Sequence, residues 1–214
     1  MKYLAVFLFM SLCAIHLWAC YKQNHRWRMP TKVMLMPMLC LLYWLCAKRP
    51  VALVAMGLLF GCAGDALLLS EDGSPLFVLG MLAFALGHIC YMAAMASHFG
   101  FALLTPLRAG AMALGYALYL AAFFTRVRHY VSTKLLLGAT GYMLFLCGTS
   151  ACALLCLLRA PSVATALLFT GSLLFILSDT ILSWTVCLRR EDRTHAVMLT
   201  YIMAQALIAA AFAI

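Results

Sequence analysis

Eight times along this chain an apolar run, at or near the length needed to cross a bilayer, is closed off by a short cluster of charge, proline or glycine. Such runs have few places to go. Roughly 20 apolar residues span the hydrocarbon core as a helix, and there every backbone N–H and C=O must be satisfied within the protein. Hydrophobic residues make up 67% of the 214 and charged ones 10%, with a mean hydropathy of +1.04, outside the range of water-soluble domains. The expected fold is therefore all-α: a polytopic integral membrane protein of one domain. Its eight transmembrane helices are expected at about 2–21, 32–47, 50–70, 75–97, 102–124, 134–158, 161–188 and 195–214, with short loops making successive helices antiparallel neighbours.

The breaks carry conventional punctuation: LysArgPro at 48–50, GluAspGlySerPro at 71–75, ArgAlaPro at 159–161 and ArgArgGluAspArg at 189–193. The first segment, in which Lys2 precedes an apolar stretch ending LeuTrpAlaCys at 17–20, has the outline of a lipoprotein signal. Trp18 fits that cleavage box poorly, and loss of the segment would leave an odd number of spans, so it is read as a retained helix.

A net charge of +9 reads here as topology. Lys22, Arg26, Arg28, Lys32, Arg126, Arg128, Lys134, Arg189, Arg190 and Arg193 lie at one end of the helices, and Lys2, Lys48, Arg49, Arg108 and Arg159 at the other. The positive-inside rule puts the first group, with loops 1–2, 3–4, 5–6 and 7–8, in the cytoplasm and both termini outside. No aromatic-interleaved basic module points to nucleic acid; basic loops at a membrane surface meet anionic headgroups. The ten cysteines fall within or at the ends of spans without a CxxC pair and read as small packing residues.

Only six carboxylates occur, and four of them, Glu71, Asp72, Glu191 and Asp192, sit in polar breaks. Asp65 and Asp179 lie instead inside apolar runs, where an unpartnered charge costs several kcal/mol. Asp65 is late in the third helix and Asp179 past the middle of the seventh, so parallel helices carry both into the cytoplasmic half at similar depth. The fourth helix brings His88 and Tyr91, three residues apart, and the eighth Tyr201 and Gln205, four apart, each pair on one face. Lys32 opens the second helix from the same side. Ser178 precedes Asp179, but helical neighbours point about 100° apart, so it need not share the site.

Two buried carboxyls fit acid–base chemistry in which one stays protonated and the other ionised, as in cleavage through an oxocarbenium-like ion. Proton or cation coupling in a transporter uses intramembrane Asp equally well. A faint internal repeat, GlyAspAlaLeuLeu at 64–68 and SerAspThrIleLeu at 178–182, favours the transporter. A zinc site, which takes several His, is not expected: besides His88 only His16 lies inside a span. No metal and no cofactor are expected.

ThrLysValMetLeuMetProMetLeu at 31–39, GlyAspAlaLeuLeuLeu at 64–69, PheAlaLeuGlyHisIleCysTyr at 84–91, LeuPheIleLeuSerAspThrIleLeuSerTrp at 174–184 and ThrTyrIleMetAlaGln at 200–205 together resemble the successive motifs of the YhhN family, with Val33 where that family's second-helix motif is expected to hold proline. The family comprises eight-helix membrane proteins, including the lysoplasmalogenases. The resemblance implies hydrolysis of the vinyl ether bond of a lysoplasmalogen to a fatty aldehyde and glycerophosphocholine or glycerophosphoethanolamine. It implies Asp65 and Asp179 as the catalytic acids, with Lys32, His88, Tyr91, Ser178, Tyr201 and Gln205 as substrate-binding positions. The expected partners are a lysophospholipid substrate and the lipids of a bacterial inner membrane or endoplasmic reticulum. A single-chain lipid places its vinyl ether just below the headgroup, so the carboxyls are expected below the interface rather than at the bilayer centre.

The charge distribution makes a checkable statement about orientation. A reporter fused after Ile214 is expected outside the cytoplasm and one inserted near His129 inside it; the opposite pattern in protease protection would reverse the assigned topology.

Overall fold

The computed structural model describes residues 1–70, 74–188 and 193–214, with only the backbone of Lys134 and Leu188. The charged breaks at Glu71 and Asp72 and at Arg189, Arg190, Glu191 and Asp192 lie outside the described residues. Among those described, the chain forms eight helices and no strand: α1 Lys2–Tyr21, α2 His25–Cys46, α3 Ala52–Leu67, α4 Pro75–His98, α5 Pro106–Val127, α6 Thr133–Arg159, α7 Val163–Leu188 and α8 Thr194–Ala211. Seven are long and apolar enough to cross a membrane, and α3 is a shorter apolar helix of 16 residues.

Several boundaries differ from the sequence expectation. The second helix begins at His25 rather than 32, because the Asn24 side chain caps it by accepting from Trp27 N–H at 3.4 Å. Pro30 and Pro37 lie inside this helix, each at the cost of a missing backbone donor. Lys32 thus sits two turns into α2 instead of at its mouth. The fifth helix starts at Pro106 rather than 102, with Thr105 as its cap and the proline in the first turn, where its lack of an N–H does no harm. The third helix ends at Leu67 instead of 70; at 1.5 Å per residue it is about 24 Å long.

Six helices close into a ring in the order α2, α3, α4, α6, α7, α8, with α8 meeting α2 again. α1 lies outside the α2–α8 seam, and α5 lies outside α6 and α7. The tightest hairpins are α3–α4 and α7–α8. These are matching positions in two four-helix halves, and the register agrees. A separation of 114 residues relates Asp65 to Asp179 and Gly57 to Gly171, and the same separation relates Tyr91 to Gln205, which hydrogen-bond to each other. The faint repeat therefore extends through the packing. Four-helix halves of equal orientation are parallel repeats, related by an axis along the membrane normal.

Close approach of α3 to its neighbours depends on Gly57, Gly61 and Gly64, spaced by four and three on one buried face. A Cβ at Gly57 would fall 2.4 Å from the Tyr91 ring, at Gly61 3.2 Å from Gln205 Nε2 and at Gly64 2.5 Å from the Phe84 ring. Small residues of this kind let membrane helices pack where no hydrophobic force draws them together. Asp65 follows on the same stripe, so the glycines that seat the aromatic rings also set the depth of the carboxylate. Gly64→Ala is expected to cost about 1–3 kcal/mol by overpacking against Phe84, seen as a lower Tm in detergent. Gly115→Ala on α5, where a Cβ would meet nothing within 4 Å, is expected to leave Tm unchanged.

Candidate active site

α3 stops at Leu67, whereas α7 continues about nine residues beyond Asp179. The ring therefore encloses a cavity of about 470 Å³ at the end carrying loops 1–2, 3–4 and 5–6, a volume within the range of small-molecule sites. One helical face after another supplies its wall: Phe77, Met81 and Phe84 from α4, Leu135, Ala139 and Tyr142 from α6, Asp179, Leu182 and Val186 from α7, and Thr194, Val197 and Tyr201 from α8. Arg28 and Lys32 of α2 and His16 of α1 complete it, and Asp65 sits in its wall from α3. The two carboxyls thus share one chamber, Asp65 2% exposed and Asp179 8%.

Their partners differ. Lys32 Nζ stands 3.4 Å from Asp65 Oδ1, and the Tyr201 hydroxyl donates to Asp65 Oδ2 at 2.8 Å. Asp65 is therefore matched by a cation and a phenol, both of which favour a charged carboxylate. Asp179 accepts from the Tyr142 hydroxyl, and no ion pair to it is seen among the described residues. Ser183 Oγ donates to the Asp179 backbone carbonyl at 2.8 Å and takes no part in satisfying its side chain.

The other residues singled out in the sequence divide between the chamber and the layer beneath it. Lys32, Tyr201 and Ser178 line the cavity. The hydroxyl of Ser178 is committed to Val197 O on α8, 3.1 Å away, where it ties α7 to α8. His88, Tyr91 and Gln205 are absent from the cavity wall. They continue the same stripes of α4 and α8 one or two turns deeper, below the Phe84 ring. There Tyr91 donates to Gln205 Oε1 at 2.7 Å, beside the Tyr201 hydroxyl that reaches Asp65, and Gly61 leaves the room for both.

His88 Nδ1 is 3.0 Å from Thr149 Oγ1, whose own proton goes to Phe145 O at 2.9 Å. The threonine oxygen must therefore accept, so His88 carries its hydrogen on Nδ1. Its Nε2 is buried without a hydrogen-bond partner among the described residues, the ring packing edge-on against Phe175 with centroids 4.5 Å apart. The same arrangement recurs at His16, whose Nδ1 lies 2.8 Å from Thr31 Oγ1 while Thr31 donates to Trp27 O.

Tyr142 is the site residue that sequence reading did not find. Its signal was present but faint: it lies ten residues into α6, away from the interfacial positions where membrane tyrosines concentrate. Among nine tyrosines that depth alone did not single it out. Thr149 and Thr31 were equally silent, since each matters only through the histidine that packs onto it. No group of three or more His, Cys, Asp or Glu side chains placed to hold a metal ion occurs among the described residues.

The arrangement combines a carboxyl paired with a lysine and a phenol, a second carboxyl that accepts from a phenol, and largely apolar walls. It can deliver a proton and stabilise a cation within one chamber. Removing the Lys32 charge is expected to destabilise the fold: Lys32→Met leaves Asp65 unmatched, at a cost of about 3 kcal/mol. The double variant Lys32→Met/Asp65→Asn is expected to recover at least half of that in detergent unfolding; simple additivity would show the two groups to be uncoupled.

The YhhN family matches residues 27–212, which is most of the chain, and the protein belongs to that family. No curated protein and no solved structure matches it.

Proposed function

We propose that this YhhN-family protein is an intramembrane hydrolase that cleaves the vinyl ether bond of lysoplasmalogens, releasing a fatty aldehyde and glycerophosphocholine or glycerophosphoethanolamine. The observation that carries the reading is the unequal pairing of two carboxyls in one chamber: Lys32 forms its ion pair with Asp65, and none to Asp179 is seen among the described residues.

Hydrolysis of a vinyl ether begins with slow proton transfer to the alkene carbon distal to the ether oxygen. In this reading Asp179, which has a phenol but no cation beside it, carries that proton. Its transfer forms the new C–H bond and leaves an oxocarbenium ion whose positive charge is shared with the ether oxygen. The Asp65 carboxylate, paired with Lys32 and Tyr201, stabilises that charge as it develops. Water adds to the oxocarbenium carbon, its proton passes to the Asp179 carboxylate, and a hemiacetal results. The hemiacetal then collapses, the C–O bond to glycerol breaking as the oxygen takes up a proton and the hydroxyl loses one to become the aldehyde. General acid catalysis of this kind contributes about 10²- to 10⁴-fold.

Lys32 and Arg28 provide positive charge at the cavity wall for a headgroup phosphate, Lys32 as a point charge and Arg28 as a planar fork. Tyr91, Gln205 and His88 act from below, holding Tyr201 and the floor rather than touching substrate. The site faces the cytoplasm if the basic loops do.

The parallel repeat keeps a proton-coupled transporter in view, since transporters are commonly built this way. Against it stands the packing beneath the carboxyls, where Phe84, Phe175 and Tyr91 are all at least nine-tenths buried and the polar atoms of Tyr91 and Gln205 satisfy each other.

The test is aldehyde release from a lysoplasmalogen by the purified protein in detergent. Asp179→Asn and Asp65→Asn are each expected to lower kcat by at least about 100-fold, and Tyr142→Phe by about 10-fold, measured below each variant's Tm. Wild type that releases no aldehyde, or amide variants at full rate, would refute this assignment.

A further inference from the structure

The cavity is not uniform around its rim. Its cations and His16 lie on α1 and α2, while the opposite side of the ring is largely hydrocarbon: Leu135 of α6, Leu182 and Val186 of α7, Val127 at the end of α5 and Val131 just after it, with the Ser183 and Thr185 hydroxyls there donating to backbone carbonyls of their own helix. Leu182 and Val186 follow Asp179 at three and seven residues, so the face that presents the carboxyl continues as a mainly apolar stripe, the Ser183 hydroxyl on it being spent on Asp179 O. Leu135 precedes Tyr142 by seven on α6 and does the same there. An apolar wall beginning at the acid and facing away from the cations fits a molecule with a charged end and a hydrocarbon end.

α5 closes this side weakly. Its counterpart in the first half, α1, buries six residues, whereas α5 buries only Phe123 and Val127. Two hydroxyl ties add to them: Tyr116 to Ser150 Oγ at 2.9 Å, and Tyr119 to Thr180 Oγ1 at 2.7 Å. Thr180 spends its own proton on Ile176 O, so Tyr119 is the donor there. Leu107, Leu114 and Leu118 of α5 are exposed along the apolar exterior. What separates the chamber from the bilayer on this side is thus the short run of α5 that includes Phe123 and Val127.

We propose that the apolar side of the cavity, walled by Val127, Val131, Leu135, Leu182 and Val186, is a subsite for one hydrocarbon chain, which a single-chain amphiphile inserts from the bilayer beneath the end of α5. The subsite rests on the hydrolase reading only for the identity of the bond brought to Asp179; the binding itself follows from the shape and lining of the cavity. A lipid bound this way lies across the ring, with its phosphate at Lys32 and Arg28, its linkage over the two carboxyls and its chain directed out past Val127. Bulk on this wall shortens the chain that can be accommodated.

Binding and turnover are tested separately. Wild type reconstituted in phosphatidylcholine vesicles is photolysed with a lysophosphatidylcholine bearing a diazirine at its chain end, with and without excess unlabelled lysophosphatidylcholine. Labelling that is lost on competition is expected in peptides covering 127–135 and 182–187. Uncompeted labelling spread over the exterior, or competed labelling elsewhere, overturns the subsite. Leu135→Trp and Val186→Trp, chosen to fill the wall, are expected to reduce the competed labelling at least about tenfold. They are also expected to lower kcat/KM for long-chain vinyl ether lysolipids by a similar factor while changing that for short-chain analogues less than about threefold. Equal losses at every chain length overturn the proposal. If competed labelling appears at the expected peptides but no aldehyde forms, the hydrolase reading fails and the subsite stands; aldehyde release without such labelling sinks the subsite alone.

Discussion

A carboxylate enclosed by membrane helices has to be answered by neighbouring groups, and in this protein three helices of the ring are committed to doing so. Lys32 from α2 and Tyr201 from α8 meet Asp65 of α3, and Tyr142 from α6 meets Asp179 of α7. Two of these contacts join consecutive helices, and the third, Tyr201 to Asp65, closes α8 onto α3. The desolvation penalty that makes these aspartates improbable in an apolar run is the same quantity that ties the ring together around them. An apolar core of equal volume would be satisfied by many arrangements of eight greasy helices; these contacts admit far fewer.

The glycine stripe of α3 works in the same direction. Gly57, Gly61 and Gly64 accept the Tyr91 ring, the Gln205–Tyr201 contact and the Phe84 ring in turn, so helix packing and site geometry are one structure. Phe84 separates the chamber above from the Tyr91–Gln205 layer below and touches Tyr142, Phe175 and Tyr201. The polar residues below this floor, His88, Tyr91 and Gln205, are absent from the cavity wall. Symmetry between the halves explains their placement, since Asp65 with Asp179 and Tyr91 with Gln205 are related by one separation. It fails at α1 and α5. The first half has its outer helix well buried and a histidine reaching the cavity; the second has a loosely held helix over a hydrocarbon wall. That asymmetry gives the chamber distinct polar and apolar ends.

Much of this was legible in the residues. Two aspartates in otherwise acid-free spans announced themselves energetically, and the helical spacing of Tyr201 from Gln205 and of His88 from Tyr91 correctly put each pair on one buried face. Depth was less readable. His88, Tyr91 and Gln205 were expected among substrate contacts, yet a helical stripe continues past the end of a cavity as easily as along it, and only neighbouring rings decide where the floor falls. Tyr142 went unnoticed because an aromatic residue in an apolar span is ordinary until a carboxylate faces it. The start of α2 lies seven residues before the expected one, because the Asn24 side chain caps the helix there.

The sequence by itself determined that the chain is a bundle of membrane helices and that Asp65 and Asp179 require partners, because both follow from transfer energies and chain length, which are properties of local composition. Tertiary structure decided what those partners are and how unequal they are: a lysine and a phenol for one carboxyl, a phenol for the other. It also decided that the short α3 leaves a chamber at one end of the ring, with cations on one side and hydrocarbon on the other. Such facts depend on which helices meet and at what height, and no single helix carries that information.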